Sequence, residues 1–131
     1  MQTRYPGPCY GVVVATEFVV ITILTVVAAR LFLYAYPISS PTLGRFRVHH
    51  YMYGIIGIPV SILIVSLPMF AVSTALLIDE LTFLSIGGKT HEDNYSLISL
   101  AGTVGLTIAV CVFREQFVSI FLASAYAFGA H

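Results

Sequence analysis

HHYMYGIIGIPVSILIVSLPMFAVSTALLIDE, residues 49–80, opens on a histidine pair, His49 and His50, and closes on a carboxylate pair, Asp79 and Glu80. Between the pairs, Ile55 to Ile78 carries no charge. Read as one helix, 51–78 would be about 42 Å long, which overshoots a hydrocarbon core of about 30 Å and sets the two pairs on opposite faces. Folded back once near Ser66-Leu67-Pro68, the same tract makes two helices. Pro68 favours the fold-back, because proline fits the first turn of a helix, where its missing N–H has no partner anyway. The spacing therefore predicts antiparallel helices over 51–66 and 69–86, with histidines and carboxylates at a common level.

Composition sets the environment for that pair of helices. Of 131 residues, 58% are hydrophobic and 9% charged, where a soluble domain has roughly 25% charged; mean hydropathy is +0.94. The reading is an all-α membrane protein of the cell membrane, multi-pass, with one transmembrane domain over 1–131. Formal net charge is zero, which points away from nucleic acid as a partner. Cys9 and Cys111 lie far apart and form no CxxC pattern, and Cys111 is read as a packing residue.

Four spans are expected, over about 12–36, 51–66, 69–86 and 96–113, as a four-helix transmembrane bundle with both termini on one side. Before the first span, Pro6, Gly7, Pro8 and Gly11 make a lead-in, and the apolar run that follows is too long for the h-region of a secretory signal. Residues 37–50 and 87–95 are loops on the second side. The fourth span carries small residues, Gly102 and Gly105, read as close helix-packing positions. The apolar tail 117–130 is too short to span and is read as interfacial or covered by a partner. Arg30, Arg45, Arg47 and Lys89 lie near the second side against Arg4 and Arg114 near the first, so the positive-inside rule makes the second side cytoplasmic.

The charges inside the spans are Glu17 and Arg30 in the first and Asp79 and Glu80 in the third. Glu17 sits near a helix N-terminus, where the dipole favours it. Arg30 lies near the end of its helix, from where it can snorkel outward. Asp79 and Glu80 are the informative pair: they lie toward the negative end of their helix, and a carboxylate deep in a span costs about 2.5–3.5 kcal/mol. Compensation can come from His49 and His50, from Arg30 one helix away, or from Arg45 and Arg47 in the preceding loop.

Three readings of this cluster compete. It is a structural ion-pair and hydrogen-bond network; or a transition-metal site using His49, His50, Asp79 and Glu80, with His91, Glu92 or Asp93 of the 87–95 loop; or part of a proton or ion pathway joining Glu17 to Asp79 and Glu80. Adjacent helical residues diverge by about 100°, so His49 and His50 share one ion only where the helix starts after them. No nucleophile motif, phosphate loop, dinucleotide fingerprint or haem motif is present, and no catalytic residue is assigned.

At these residues the chain resembles a group of small prokaryotic integral-membrane proteins of unassigned function. In that group a His-His-x-x-x-Gly segment opens one span, an Asp-Glu pair ends the next, and an aromatic-polar stretch follows. The matching segments here are His49-His50-Tyr-Met-Tyr-Gly54, Leu77-Ile-Asp79-Glu80-Leu81, and Gly87-Gly88 followed by Asn94-Tyr95-Ser96. The resemblance covers about residues 45–100 and implies a shared polar cluster between adjacent spans, without an activity. The function expected from the sequence is structural: a homo-oligomer, or an accessory subunit of a larger membrane complex, in contact with the lipid bilayer.

Overall fold

The computed structural model describes residues 8–36, 42–43, 46–47, 50–85 and 96–129. Among these residues the chain is all-helical apart from a minute antiparallel ribbon. The helices are α1 (Pro8–Ala35), α2 (His50–Leu63), α3 (Leu67–Ser85), α4 (Leu97–Val112) and α5 (Arg114–Gly129). The ribbon pairs β1 (Thr42–Leu43) with β2 (Phe46–Arg47), Thr42 opposite Arg47, inside the segment expected to be loop.

The expected reversal is present, two residues earlier than the sequence suggests. α2 ends in a Schellman motif: Ser66 N–H donates to the Ser61 carbonyl at 2.8 Å and Val65 N–H to that of Ile62 at 3.2 Å. This motif needs one left-handed residue, and Val65 supplies it with φ 53°. Glycine is the usual occupant, and a β-branched residue there is strained by about 1–2 kcal/mol. Ser66 then caps α3, its hydroxyl accepting from Met69 N–H at 3.4 Å. Pro68 falls in the first turn of α3, as the sequence reading requires.

Glycine contacts hold the hairpin shut. A Cβ on Gly54 would lie 2.8 Å from the Ser73 carbonyl oxygen and 3.0 Å from the Leu77 backbone nitrogen, and one on Gly57 would collide with Ser73 Oγ. With Gly54, Gly57 and fully buried Ser61 on one face, α2 lies directly on the α3 backbone. The Gly57–Ser73 and Gly54–Leu77 contacts fix an antiparallel register, and carrying it on brings the first turn of α2 level with the last turns of α3.

The other helices follow from two clusters at opposite ends. Phe18 of α1 stacks on Phe70 of α3, ring centroids 5.7 Å apart, and on Phe117 of α5 at 6.0 Å; Phe70 meets Phe121 at 5.0 Å. Arg30 of α1 reaches Asp79 of α3, so α1 and α3 run parallel. α4 runs the opposite way: Ser99 and Thr103 lie beside Arg30, while Val110 joins the Phe18 core. α1 to α4 therefore alternate in direction. One end is polar, holding Arg30, and the other is aromatic, holding Phe18. α5 bends 69° away from α4 and lies across the aromatic end, burying Val118, Phe121 and Ala125. The segment read as an apolar tail is thus a helix packed on its own chain.

By length and apolarity, Gly11–Ala35 in α1 is the single helix able to cross a membrane alone among the described residues, with mean hydropathy 2.5 and 28% of its window buried. A second is obtained only by counting the bent α4–α5 pair as one span. The sequence reading expects four.

The glycine contacts make a direct prediction. Gly54→Ala forces two backbones apart and should lower stability by about 1–3 kcal/mol, read from unfolding in mixed micelles. Gly11→Ala, at a position with no heavy atom within 4 Å of the new Cβ, should leave the midpoint unchanged or raise it.

Candidate functional site

Arg30 lies five residues before the end of α1, and its side chain is 13% exposed. Its Nε donates to Asp79 Oδ1 in an ion pair with a carboxylate that is 10% exposed. Nη2 donates to Thr103 Oγ1 at 2.6 Å and reaches the Asp79 carbonyl oxygen at 3.3 Å and Ser99 Oγ at 3.5 Å. One guanidinium thus joins three helices, and the acceptors come from both strands of the up-down arrangement.

Local sequence explains why these groups meet. Ser99 and Thr103 are i, i+4 on α4 and so share a face; both are buried, at 0% and 4% exposure. Ser96 starts that helix, its hydroxyl accepting from Ser99 N–H at 3.2 Å. Arg30 in turn sits toward the negative end of α1, where a cation is favoured. The unfavourable dipole at the end of α3, which makes Asp79 conspicuous in the sequence, is offset by the Arg30 cation.

The carboxylate pair is divided between two surfaces. Asp79 faces α1 and α4, whereas Glu80, one step and about 100° further round α3, continues the Ser73–Leu77 ridge that packs α2. Glu80 is buried too, at 9% exposure. The sequence reading groups the two acids with the histidines; Asp79 is paired with Arg30, and a side chain one step along the helix points about 100° away from it. His49 lies outside the described residues, as do Arg45, His91, Glu92 and Asp93; His50 is described as the first backbone position of α2 and not beyond it. Among the described residues, no group of three or more His, Cys, Asp or Glu side chains can hold a metal ion.

Arg30 does not snorkel away from the bundle; it turns inward to Asp79. Glu17 is exposed and lies thirteen residues, about 20 Å, down α1 from Arg30, so the fold does not bring it to the cluster. Of the two glycines expected to pack, Gly102 does: a Cβ there would strike Thr82 of α3. Gly105 meets no neighbour among the described residues, where nothing lies within 4 Å of its Cβ direction; three residues on, it has turned about 60° away from the α3 side. Next to Gly102, the buried Thr82 hydroxyl has no hydrogen-bond partner among the described residues.

Sequence reasoning misses Ser99 and Thr103 as partners of Arg30. The signal available was their i, i+4 spacing immediately after a serine cap, at the level that the reversal assigns to Asp79. Chemically, the arrangement is a clasp: a guanidinium, which stays charged at any relevant pH, spread over a carboxylate, a carbonyl and two hydroxyls.

Breaking a shielded ion pair from one side strands the other charge. Asp79→Ala should therefore lower stability by about 3–5 kcal/mol, while the double change Arg30→Met with Asp79→Leu should return most of the loss. A double-mutant cycle on unfolding midpoints reads the coupling, and two additive losses would contradict the clasp. Compared with known proteins, the chain matches no family model, no curated protein and no solved structure.

Proposed function

We propose that the chain is a small multi-pass membrane protein with an assembly role. In this reading α1, α2, α3 and α4 cross the bilayer as a four-helix transmembrane bundle, α5 lies along the first-side interface, and copies associate through the outward face of α4. The polar end of the bundle would then face the cytoplasm, following the positive-inside bias.

The observation that carries this is the face around Gly105. Ala101 and Gly105, four residues apart, form a small-residue ridge on α4 that no other part of the described chain covers. Its flanks are apolar and open, with Leu97 83% and Ile98 68% exposed. Small residues at this spacing let helices approach closely where the surrounding medium is apolar.

Two further features agree with a bilayer setting. Five threonine hydroxyls within the helices are satisfied by their own backbone: Thr16, Thr22, Thr25, Thr74 and Thr107 each donate to the carbonyl four residues back, whereas Thr82 Oγ1 has no such partner among the described residues. In hydrocarbon, polar groups have no water to turn to. The helices are also short: α2 at 14 residues and α4 at 16 reach about 21 and 24 Å against a core of about 30 Å. Association is one way for short spans to relieve such mismatch.

The test is assembly in a bilayer. In liposomes at low protein density, energy transfer between donor- and acceptor-labelled chains should report association for the wild type. Gly105→Leu should weaken it by about tenfold, roughly 1.4 kcal/mol, and Gly11→Ala should have no effect. A wild-type chain that stays monomeric at all densities refutes the assembly role.

A further inference from the structure

A groove of about 660 Å³ runs between α1 and α4, below the clasp. Ile23 and Val27 line it from α1, Val104 and Ile108 from α4, and the first turn of α5 borders its mouth at the aromatic end with Arg114 and Glu115. The two hydroxyls on its wall are already committed: Thr103 Oγ1 accepts from Arg30, and Thr107 Oγ1 donates to the Thr103 carbonyl at 2.7 Å. The wall is therefore apolar in effect, and its polarity is concentrated at the α5 end.

We infer that this groove binds one phospholipid of the first-side leaflet, with an acyl chain along α1 and α4 and a zwitterionic phosphoethanolamine headgroup at Arg114 and Glu115. The inference rests on the membrane reading above. Three observations commit the occupant.

First, the groove runs along α4 from Thr103 to Val112, nine residues or about 13 Å. That is a short furrow, open along its outer side and less than half the length of a spanning helix, so its length suits a run of methylenes better than a helix from a second copy. Second, its polar mouth lies where the backbone turns by 69° between α4 and α5. The turn sets that mouth at headgroup depth and the slot parallel to lipid tails. Third, Arg114 and Glu115 are both exposed and make no ion pair among the described residues. A guanidinium hydrogen-bonds a phosphate well, and a neighbouring carboxylate complements an ammonium. A headgroup carrying both charges matches the mouth better than an anionic one, which would meet Glu115 unfavourably.

The probe is an equimolar mixture of phosphatidylethanolamine and phosphatidylglycerol, in which the full chain is reconstituted and from which it is ejected for native mass spectrometry. The wild type should retain one phosphatidylethanolamine per chain. Val104→Trp, which fills the slot, should lower retention at least tenfold while leaving helicity unchanged by circular dichroism. Arg114→Gln should lower retention of both lipids, and Glu115→Gln should shift the preference toward phosphatidylglycerol. No retained lipid, equal retention of the two headgroups, or retention unaffected by Val104→Trp overturns the inference, as does a change of oligomeric state in that variant with no lipid lost. A carbonate wash of the membranes separates the two levels: a chain that resists extraction yet retains no lipid refutes the groove alone, whereas a chain released by carbonate refutes the membrane reading as well.

Discussion

A guanidinium and a carboxylate that share one shielded level of the bundle decide which helices can be neighbours. Arg30 and Asp79 are each about nine-tenths buried, and a charge in such surroundings is tolerated only when paired and hydrogen-bonded. That requirement sets the relative height of α1 and α3. Because Arg30 also needs acceptors beyond one carboxylate, it draws in Ser99 and Thr103 and with them the start of α4. The remaining elements are fixed by close contact: α2 by glycines against the α3 backbone, and α5 by phenylalanines at the far end. Charge selects the partners at one end and shape at the other, about 18 Å apart along α1 from Arg30 to Phe18.

The reversal was legible from two signals together: Pro68 fits the first turn of a helix, and the tract is longer than one span needs. Proline alone does not mark the break, because Pro59 stands inside α2. The exact pivot was hidden, since nothing marks Val65 as a left-handed residue; a β-branched side chain is among the last to be chosen for that conformation. The packing of the last helix is not legible in the same way. Residues 117–130 are too few to span, and nothing in their sequence marks Phe117 and Phe121 as the partners of Phe18 and Phe70.

The candidate site was half visible. That Asp79 needs a compensating group follows from burial energetics, and Arg30 was among the groups named for it. The sequence does not reveal that Asp79 and Glu80 part company, although the 100° step between adjacent helical residues makes a shared partner hard to arrange. It also does not distinguish hydroxyls that satisfy their own helix, such as Thr107, from one that serves another, such as Thr103. Both are threonines on the same helix, and the difference lies in what happens to stand opposite. Gly102 and Gly105 repeat the point: the same residue type, three positions apart, touches a neighbouring helix in one case and open surroundings in the other.

Chain order gives the clasp a consequence during biosynthesis. Arg30 is made first, and its counter-ion follows 49 positions later, after the whole of α2 and the reversal at Val65. The nascent polypeptide therefore passes through a stage in which Arg30 is present and Asp79 is not, and only synthesis of α3 supplies that carboxylate. Until that point the Arg30 side chain lacks the carboxylate that makes its burial tolerable, so α1 can take its final place in the bundle only after α3 has been made.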